Sequence, residues 1–134
     1  MLMKREIKFR YRYTDGKNWI FQSFTLEQII NGEPFEILSD NPMLKNYKYD
    51  GYNQYTGLKD KNGKEIYEGD ILTYDERIRG FVKYIGCSFI IEWVGIDTYS
   101  DLLGWDNWRS GKTSDGSKYE VIGNIYQNPE LLNQ

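Results

Sequence analysis

The chain has 134 residues, of which 40% are hydrophobic and 28% charged, and it carries a net charge of −3. This length and composition fit one globular domain, with room for a small N-terminal annex, and exclude wholesale disorder. The sequence contains no histidine and one cysteine, which excludes Ser-His and Cys-His catalytic pairs, thiolate zinc sites and an intramolecular disulfide. We interpret that cysteine, Cys87, as a small core residue in a strand.

Aromatic residues make up 16% of the chain. This content favours β structure, because aromatic side chains suit a pleated, half-buried surface. No apolar run in the sequence approaches the roughly 20 residues of a membrane span. The charged start at residues 3–6 is followed by no signal-peptide core. We therefore expect a cytoplasmic protein that does not contact a membrane.

The N-terminal segment predicts a β-hairpin. Residues 5–13 alternate strictly between two faces, which is typical of a half-buried strand. One face holds Ile7, Phe9, Tyr11 and Tyr13, and the other holds Glu6, Lys8, Arg10 and Arg12. Residues 14–17 contain an Asp-Gly turn, and residues 18–22 form the predicted return strand.

A short helix is predicted after the hairpin. Thr25 and Gln28 have the spacing of a capping box, in which each side chain bonds the other residue's backbone N–H. Gly32 marks the end of this helix. We predict a further short strand over residues 35–38. Residues 43–50 show little periodicity and receive no assignment.

From residue 52 onward, short strands alternate with polar turns. The predicted strands cover residues 52–58, 65–67, 71–74, 80–85, 88–94 and 119–126, with turns at Asn62-Gly63 and Gly69-Asp70. Residues 97–117 form the longest predicted loop. Several short strands at this spacing are typical of a small antiparallel barrel or sandwich, so the fold class is mainly β.

Three segments carry a family resemblance, at residues 5–10, 54–71 and 120–131. The middle segment has the sequence QYTGLKDKNGKEIYEGDI and is long enough to be specific. In order and spacing, the three segments resemble the YopX family, small proteins encoded by phages and prophages of bacteria. The resemblance implies an SH3-like β-barrel over residues 51–134 and a smaller N-terminal hairpin with a short helix over residues 1–50. It implies no catalytic residues.

The first functional hypothesis is a binding module for a host or phage protein. SH3-like barrels often hold peptides in aromatic-lined grooves. Trp105 and Trp108, with Tyr99 nearby, lie in the long polar loop and are the candidate contact residues. The alternative is that the two tryptophans close the end of the barrel as core, because large aromatic side chains mostly contribute buried area.

The second hypothesis is nucleic-acid binding through Lys8, Arg10 and Arg12, which are spaced roughly 7 Å apart along one face of a strand. Residues 1–13 hold five basic residues and one acidic residue, a charge of +4, whereas the remainder holds 12 basic and 19 acidic residues, a charge of −7. An acidic body disfavours broad phosphate binding. Aromatics on the opposite face of the strand weaken the hypothesis further. We prefer the interpretation of a solvated face.

Two other hypotheses concern catalysis and self-association. A carboxylate enzyme needs acids that converge in a pocket, and Glu68 with Asp70 fits turn chemistry better than a metal site. We therefore expect no enzymatic activity, no metal and no cofactor. An edge strand of the hairpin would pair with a second copy and give a homo-oligomer. The alternative is a monomer whose edge is protected by Lys and Arg.

Overall fold

The structure is a computed structural model that describes residues 6–74, 76–95, 100–102, 106–107, 112–113 and 118–133. The chain is mainly β, as predicted, with two short helices. It divides into two compact units, Met1–Tyr55 and Thr56–Gln134. The division falls within a strand, a few residues after the predicted boundary. No helix in the described part of the chain is long and apolar enough to cross a membrane.

The first unit contains the predicted hairpin, formed by strands β1 (Lys8–Thr14) and β2 (Trp19–Thr25). The turn between them forms because the Asp15 carboxylate accepts the backbone N–H groups of Lys17 and Asn18, while Gly16 has a φ of 99°. The first part of strand β3 (Lys48–Lys59) pairs with the other edge of β1, so the strand order is β2-β1-β3.

Two helices follow β2. The first, α1 (Leu26–Ile30), begins with the predicted capping box and ends before Gly32, which has a φ of 81°. The predicted strand over residues 35–38 is wrong, because these residues lie in helix α2 (Glu33–Asp40). Pro34 lies at the start of α2, where the fixed φ of proline suits the first helical turn. The acidic residues Glu33 and Glu36 in that turn interact favourably with the helix dipole. A single 3₁₀ turn, Pro42–Leu44, leads to β3.

The core of the first unit is largely aromatic. Tyr11, Tyr13 and Phe24 are buried on the face of the hairpin that the alternation predicted for Tyr11 and Tyr13. Apolar side chains of the two helices pack against them, among them Ile29, Ile37 and Leu38. The buried Tyr13 hydroxyl donates a hydrogen bond to the Pro34 carbonyl, which fixes α2 to the sheet. Burial raises the pKa of Tyr13 to about 12.

The second unit contains a five-stranded antiparallel sheet. Its strands are β5 (Asp70–Tyr74), β6 (Ile78–Ile85), β7 (Ser88–Trp93), β8 (Ser100–Leu102) and β11 (Glu120–Asn124), in the order β11-β5-β6-β7-β8. Outside this sheet, the end of β3 pairs with β4 (Glu65–Tyr67), and β9 (Asp106–Asn107) pairs with β10 (Lys112–Thr113). Among the described residues these pairings leave the sheets open. The barrel stays a prediction.

The core of the second unit is aliphatic and aromatic. Its buried members are Ile66, Leu72, Val82, Phe89, Ile91, Trp93 and Tyr119. The sequence predicts the strands that supply most of these side chains, and the observed strand ends differ from the predicted ones by a few residues. The buried area is thus supplied mainly by side chains of regular strands.

Turns in the second unit show where the sequence interpretation holds and where it fails. Gly69 has a φ of 89°, and the buried Asp70 carboxylate accepts the Tyr67 backbone N–H at 2.8 Å, as turn chemistry predicts. The interpretation of Cys87 as a core residue is wrong. Cys87 is exposed and has a φ of 72°, because it follows Gly86 in the two-residue turn that joins β6 to β7.

The loop between β3 and β4 is fixed to β11 by one carboxylate. Asp60 is buried, and its oxygens accept backbone N–H groups from Asn62 at 2.8 Å, Lys64 at 2.9 Å and Val121 at 2.9 Å. Burial alone would raise the pKa of Asp60. The three N–H donors and the charge of Lys64 outweigh burial and lower the pKa.

Asp60→Asn tests this loop. Asn retains one acceptor oxygen and no charge, so the variant is expected to lose about 1–3 kcal/mol of unfolding free energy at pH 7. A lowered folded-state pKa stabilises the protein above the unfolded pKa, and this stability is lost as the pH falls through the folded pKa. Urea unfolding of both proteins should therefore show a difference that shrinks on acidification below pH about 4.

The control is Asp15→Asn, which alters an exposed turn carboxylate whose pKa is also lowered by backbone N–H donors. Its effect at pH 7 should be smaller than that of Asp60→Asn. Equal effects of the two variants, or a difference independent of pH, would contradict the role assigned to Asp60.

Candidate functional site

Strand β3 contains a β-bulge at Asp50. In its pairing with β1, Arg12 lies opposite Gly51 and Tyr13 lies opposite Tyr49, so the register skips Asp50. One residue of β3 is thus inserted without a partner position on β1. Side chains on the two sides of the bulge no longer follow simple alternation.

The bulge places two tyrosines on the same face of the sheet. Tyr49 and Tyr52 are three positions apart, and an unbroken strand would point them to opposite faces. Because of the extra residue, both lie beside Tyr11, with ring centroids 5.7 Å and 5.6 Å from that of Tyr11. The bulge therefore brings Tyr49 and Tyr52, which are three positions apart in sequence, into one cluster with Tyr11.

The Arg12 side chain holds the bulge in place. Its Nε donates to Asp50 Oδ2 at 3.3 Å, and one terminal nitrogen donates to the Asp50 carbonyl at 3.1 Å. The other terminal nitrogen donates to the Asn53 side chain. A guanidinium presents several donors in a fixed plane, so it can bond a bulge through both its backbone and its side chains.

The interpretation of Arg12 as part of a solvated face is wrong. Arg12 is 8% exposed, because its guanidinium lies over the bulge and not in water. Gly51 leaves the space for it, since a Cβ there would lie 2.3 Å from a terminal nitrogen of Arg12. Gly51 also has a φ of 132°, which L side chains rarely adopt.

Phe35 of α2 completes the cluster. Its ring lies 5.6 Å from that of Tyr49 and 6.3 Å from that of Tyr11. Tyr11 is buried, whereas Phe35, Tyr52 and Tyr49 are 59%, 54% and 39% exposed. We call Tyr11, Phe35, Tyr49 and Tyr52 the aromatic patch. In this patch the buried ring of Tyr11 contacts the three exposed rings.

Two phenols of the patch, those of Tyr11 and Tyr49, stay protonated at neutral pH. Burial, and after it the neighbouring tyrosines, raise the pKa of Tyr11, and burial followed by the proximity of Tyr52 raises the pKa of Tyr49. The patch therefore offers aromatic rings and neutral hydroxyl groups. Such groups can pack against apolar side chains and make hydrogen bonds with a peptide backbone.

The helices that flank the patch are acidic. Residues 18–44 contain Glu27, Glu33, Glu36 and Asp40 and no lysine or arginine. Glu27, Glu36 and Asp40 are exposed, and Glu36 directly follows Phe35 of the patch on α2. The surroundings of Phe35 therefore favour a partner with basic side chains over one with phosphate groups.

Lys8 and Arg10 contact aromatic rings on the face that also carries Arg12. The Lys8 ammonium lies 3.0 Å from the Glu6 carboxylate and 5.6 Å from the centroid of the Tyr55 ring. The Arg10 guanidinium lies 5.2 Å from the centroid of the Phe21 ring. Aromatic residues of β2 and β3 thus share the basic face, contrary to the expectation that basic and aromatic groups are separated.

The remaining predicted contact residues lie outside the described part of the chain. These are Tyr99, Trp105 and Trp108. The structure instead brings together the exposed rings of Phe35, Tyr49 and Tyr52, which the sequence interpretation missed. Two features could have pointed to them: four tyrosines between positions 47 and 55, and a glycine at position 51 inside a strand, which often marks a bulge. Within the described residues, no group of three or more metal-binding side chains forms.

A comparison with protein families finds one family whose sequence pattern matches nearly the whole chain. The model of the YopX protein family matches residues 8–133. The chain belongs to the YopX family. The resemblance noted from three segments is therefore confirmed, and the matched range of this YopX chain includes every residue of the aromatic patch.

A solved structure resembles this YopX chain across nearly its whole length. It is the crystal structure of protein EF1440 from Enterococcus faecalis, with 24% sequence identity and a TM-score of 0.45. The match covers 95% of this chain and 98% of that one. No curated protein matches the chain.

Gly51→Ala tests the contact between Arg12 and the bulge, with Gly57→Ala as the matched control. Both glycines lie in β3 at positive φ, but a Cβ at Gly57 would meet no heavy atom within 4 Å. Because both sites have positive φ, backbone strain should lower the unfolding free energy of both variants. Gly51→Ala should lose about 1–2 kcal/mol more, because its methyl group displaces a hydrogen-bonded guanidinium. Equal losses of unfolding free energy in the two variants, measured by denaturant unfolding, would contradict the role of this contact.

Proposed function

We propose that this chain is a non-catalytic binding module of phage or prophage origin that binds a host or phage protein in the bacterial cytoplasm. The aromatic patch is its contact surface. The observation that carries the proposal is the exposure of Phe35, Tyr49 and Tyr52 as one contiguous group over a buried Tyr11.

Exposed aromatic rings in contact with one another favour protein recognition. Tyrosine, tryptophan and phenylalanine are enriched at the centres of protein interfaces, where they supply a large area at a small cost in side-chain entropy. Here the rings of Tyr49 and Tyr52 are already positioned by the bulge, and Phe35 is carried by a helix. A partner would meet a preformed surface, which lowers the ordering cost of binding.

Charge supports a protein partner over a nucleic acid. The α1–α2 segment beside Phe35 carries acidic and no basic residues, so it would repel phosphate groups. The three basic side chains proposed for phosphate contact are held at Glu6 and Tyr55, over Phe21, and at Asp50 and Asn53. Phosphate binding would have to compete with these interactions.

The proposal includes an SH3-like architecture for the second unit. An antiparallel order of β11-β5-β6-β7-β8 supports it, as does the resemblance that implied such a barrel. In this account the second unit is the stable scaffold, and the aromatic patch belongs wholly to the first unit. Tryptophans 105 and 108 remain candidate contacts of the second unit.

Affinity purification from the bacterial host tests the patch with matched variants. Phe35→Ser and Tyr52→Ser remove exposed rings of the patch. Tyr84→Ser is the control, because Tyr84 is 47% exposed and lies in the second unit. A protein partner should co-purify with the wild type and with Tyr84→Ser, and be reduced about tenfold or more by either patch variant, as for an interface residue worth at least 1.4 kcal/mol.

Thermal unfolding of each variant shows that the fold is retained, and nuclease treatment separates protein from nucleic-acid partners. Retention of the same proteins by patch and control variants would contradict the proposed contact surface. Loss of the captured material on nuclease treatment would favour the nucleic-acid hypothesis instead.

A further inference from the structure

The second unit contains a cleft between the turn that joins β5 to β6, the end of β7 and the C-terminal segment. Its volume is about 240 Å³. Ligand clefts commonly combine apolar walls with a few polar groups, and a volume below about 300 Å³ suits a small ligand or one small group of a larger one. The described lining includes three charged and three aliphatic residues, namely Glu76, Arg77, Arg79, Val94, Leu131 and Leu132.

One wall of the cleft is fixed by strand pairing. Arg79 in β6 lies opposite Thr73 in β5, and on the other side its carbonyl accepts the Val94 backbone N–H at 2.9 Å. Arg77 lies two residues earlier, in the turn before β6, and lines the same cleft. The wall therefore carries two arginines on a backbone that the sheet holds in place.

The opposite wall is the C-terminal segment, which is fixed by its own hydrogen bonds. The buried Asn124 side chain accepts the backbone N–H groups of Tyr126 and Gln127 at 3.1 Å and 2.8 Å, and a 3₁₀ turn, Pro129–Leu132, follows. A terminal nitrogen of Arg79 donates to the Leu131 carbonyl at 3.1 Å. This bond joins the two walls and positions the Arg79 guanidinium at the cleft.

The two guanidinium groups retain donors for a ligand. A guanidinium has five N–H donors, and the bond to Leu131 uses one terminal nitrogen of Arg79. Among the described residues, neither Arg77 nor Arg79 forms an ion pair with a carboxylate. A planar guanidinium matches the two oxygens of a carboxylate in a bidentate geometry.

The charge of the cleft suits an anion with a single charge. Two arginines and one glutamate give its described lining a charge of +1, although the chain outside residues 1–13 carries −7. The carboxylate of Glu76 would repel a doubly charged phosphate group more strongly than a carboxylate. The half-buried Val94, Leu131 and Leu132 supply apolar surface beside the arginines.

We propose that this cleft binds an organic carboxylate that carries a short apolar group. Arg77 and Arg79 bind the carboxylate, and the valine and the two leucines pack against the apolar group. This chemistry occurs in free short-chain acids and at the C-terminus of a peptide that ends in an apolar residue. The cleft belongs wholly to the second unit, so the proposal does not depend on the aromatic patch.

NMR titration of the isotope-labelled chain tests the cleft with isovalerate, N-acetylleucine and N-acetylleucinamide. Isovalerate represents a free acid, N-acetylleucine represents a peptide terminus, and N-acetylleucinamide is an uncharged control of nearly the same size. Both acids should shift the resonances of the cleft residues with dissociation constants on the order of 1 mM, as expected for ligands of this size. N-acetylleucinamide should bind about tenfold more weakly or less, because it lacks the charge-assisted hydrogen bonds.

The comparison of the two acids identifies the source of the carboxylate. Tighter binding of N-acetylleucine supports a peptide terminus, and tighter binding of isovalerate supports a free acid. Tighter binding of inorganic phosphate than of either acid would overturn the assignment of a carboxylate ligand.

Arg77→Gln and Arg79→Gln should each weaken binding of both acids about tenfold or more. Lys59→Gln is the matched control, because it removes the same charge from an exposed residue of the second unit outside the cleft lining. Its affinity should equal that of the wild type. Arg79 also bonds Leu131, so Arg77→Gln, at an exposed turn residue, decides the test if Arg79→Gln fails to fold.

Three results would each overturn the proposal. They are the absence of saturable shifts with both acids, equal affinity for N-acetylleucinamide, and equal weakening by Arg77→Gln and Lys59→Gln. These titrations use no partner protein and no residue of the aromatic patch, so their failure would leave the proposed function untouched.

Discussion

The contact between the Arg12 guanidinium and the bulge at Asp50 determines the shape of the first unit. Three hydrogen-bonding groups of one buried side chain bind the Asp50 carboxylate, the Asp50 carbonyl and the Asn53 side chain. Without the extra residue in β3, Tyr49 and Tyr52 would point to opposite faces of the sheet. The aromatic patch therefore exists because a charged side chain on one face of β1 stabilises an irregularity that reorients side chains on the other face. Truncating Arg12 would leave the bulge without these bonds.

Among the described residues, the two most exposed aromatic rings lie in the first unit. In the second unit, Trp93 and Tyr119 are buried in the core and the loops are fixed by carboxylates such as Asp60. In the first unit, Phe35 and Tyr52 stay more than half exposed. Complete burial of a side chain such as Phe is worth about 1.5–3 kcal/mol, so exposure forgoes stability that a bound partner would supply. These exposed rings are the physical basis on which we propose recognition by the first unit.

Local patterns located much of the fold from the sequence. The hairpin, the capping box at Thr25 and the turn at Gly69 each depend on a few neighbouring residues, and the structure confirms them. Residues 35–38 fit a strand or a helix from the sequence alone because their apolar segment is short, and the contact of α2 with Tyr13 decides between the two structures. The bulge was missed for a related reason: Arg12 and Asp50 are distant in sequence, and the alternation of β1 alone suggested a solvated arginine.

Nuclear Overhauser effects between aromatic rings test the central claim most directly. In the wild type, ring protons of Tyr11 should show contacts with both Tyr49 and Tyr52, because the three rings are in contact on one face. In Arg12→Leu, contacts between Tyr11 and Tyr49 should be lost, while those between Tyr11 and Phe24 remain and show that the hairpin is intact. Retention of both tyrosine contacts in Arg12→Leu would show that the bulge forms without the guanidinium and would contradict this account.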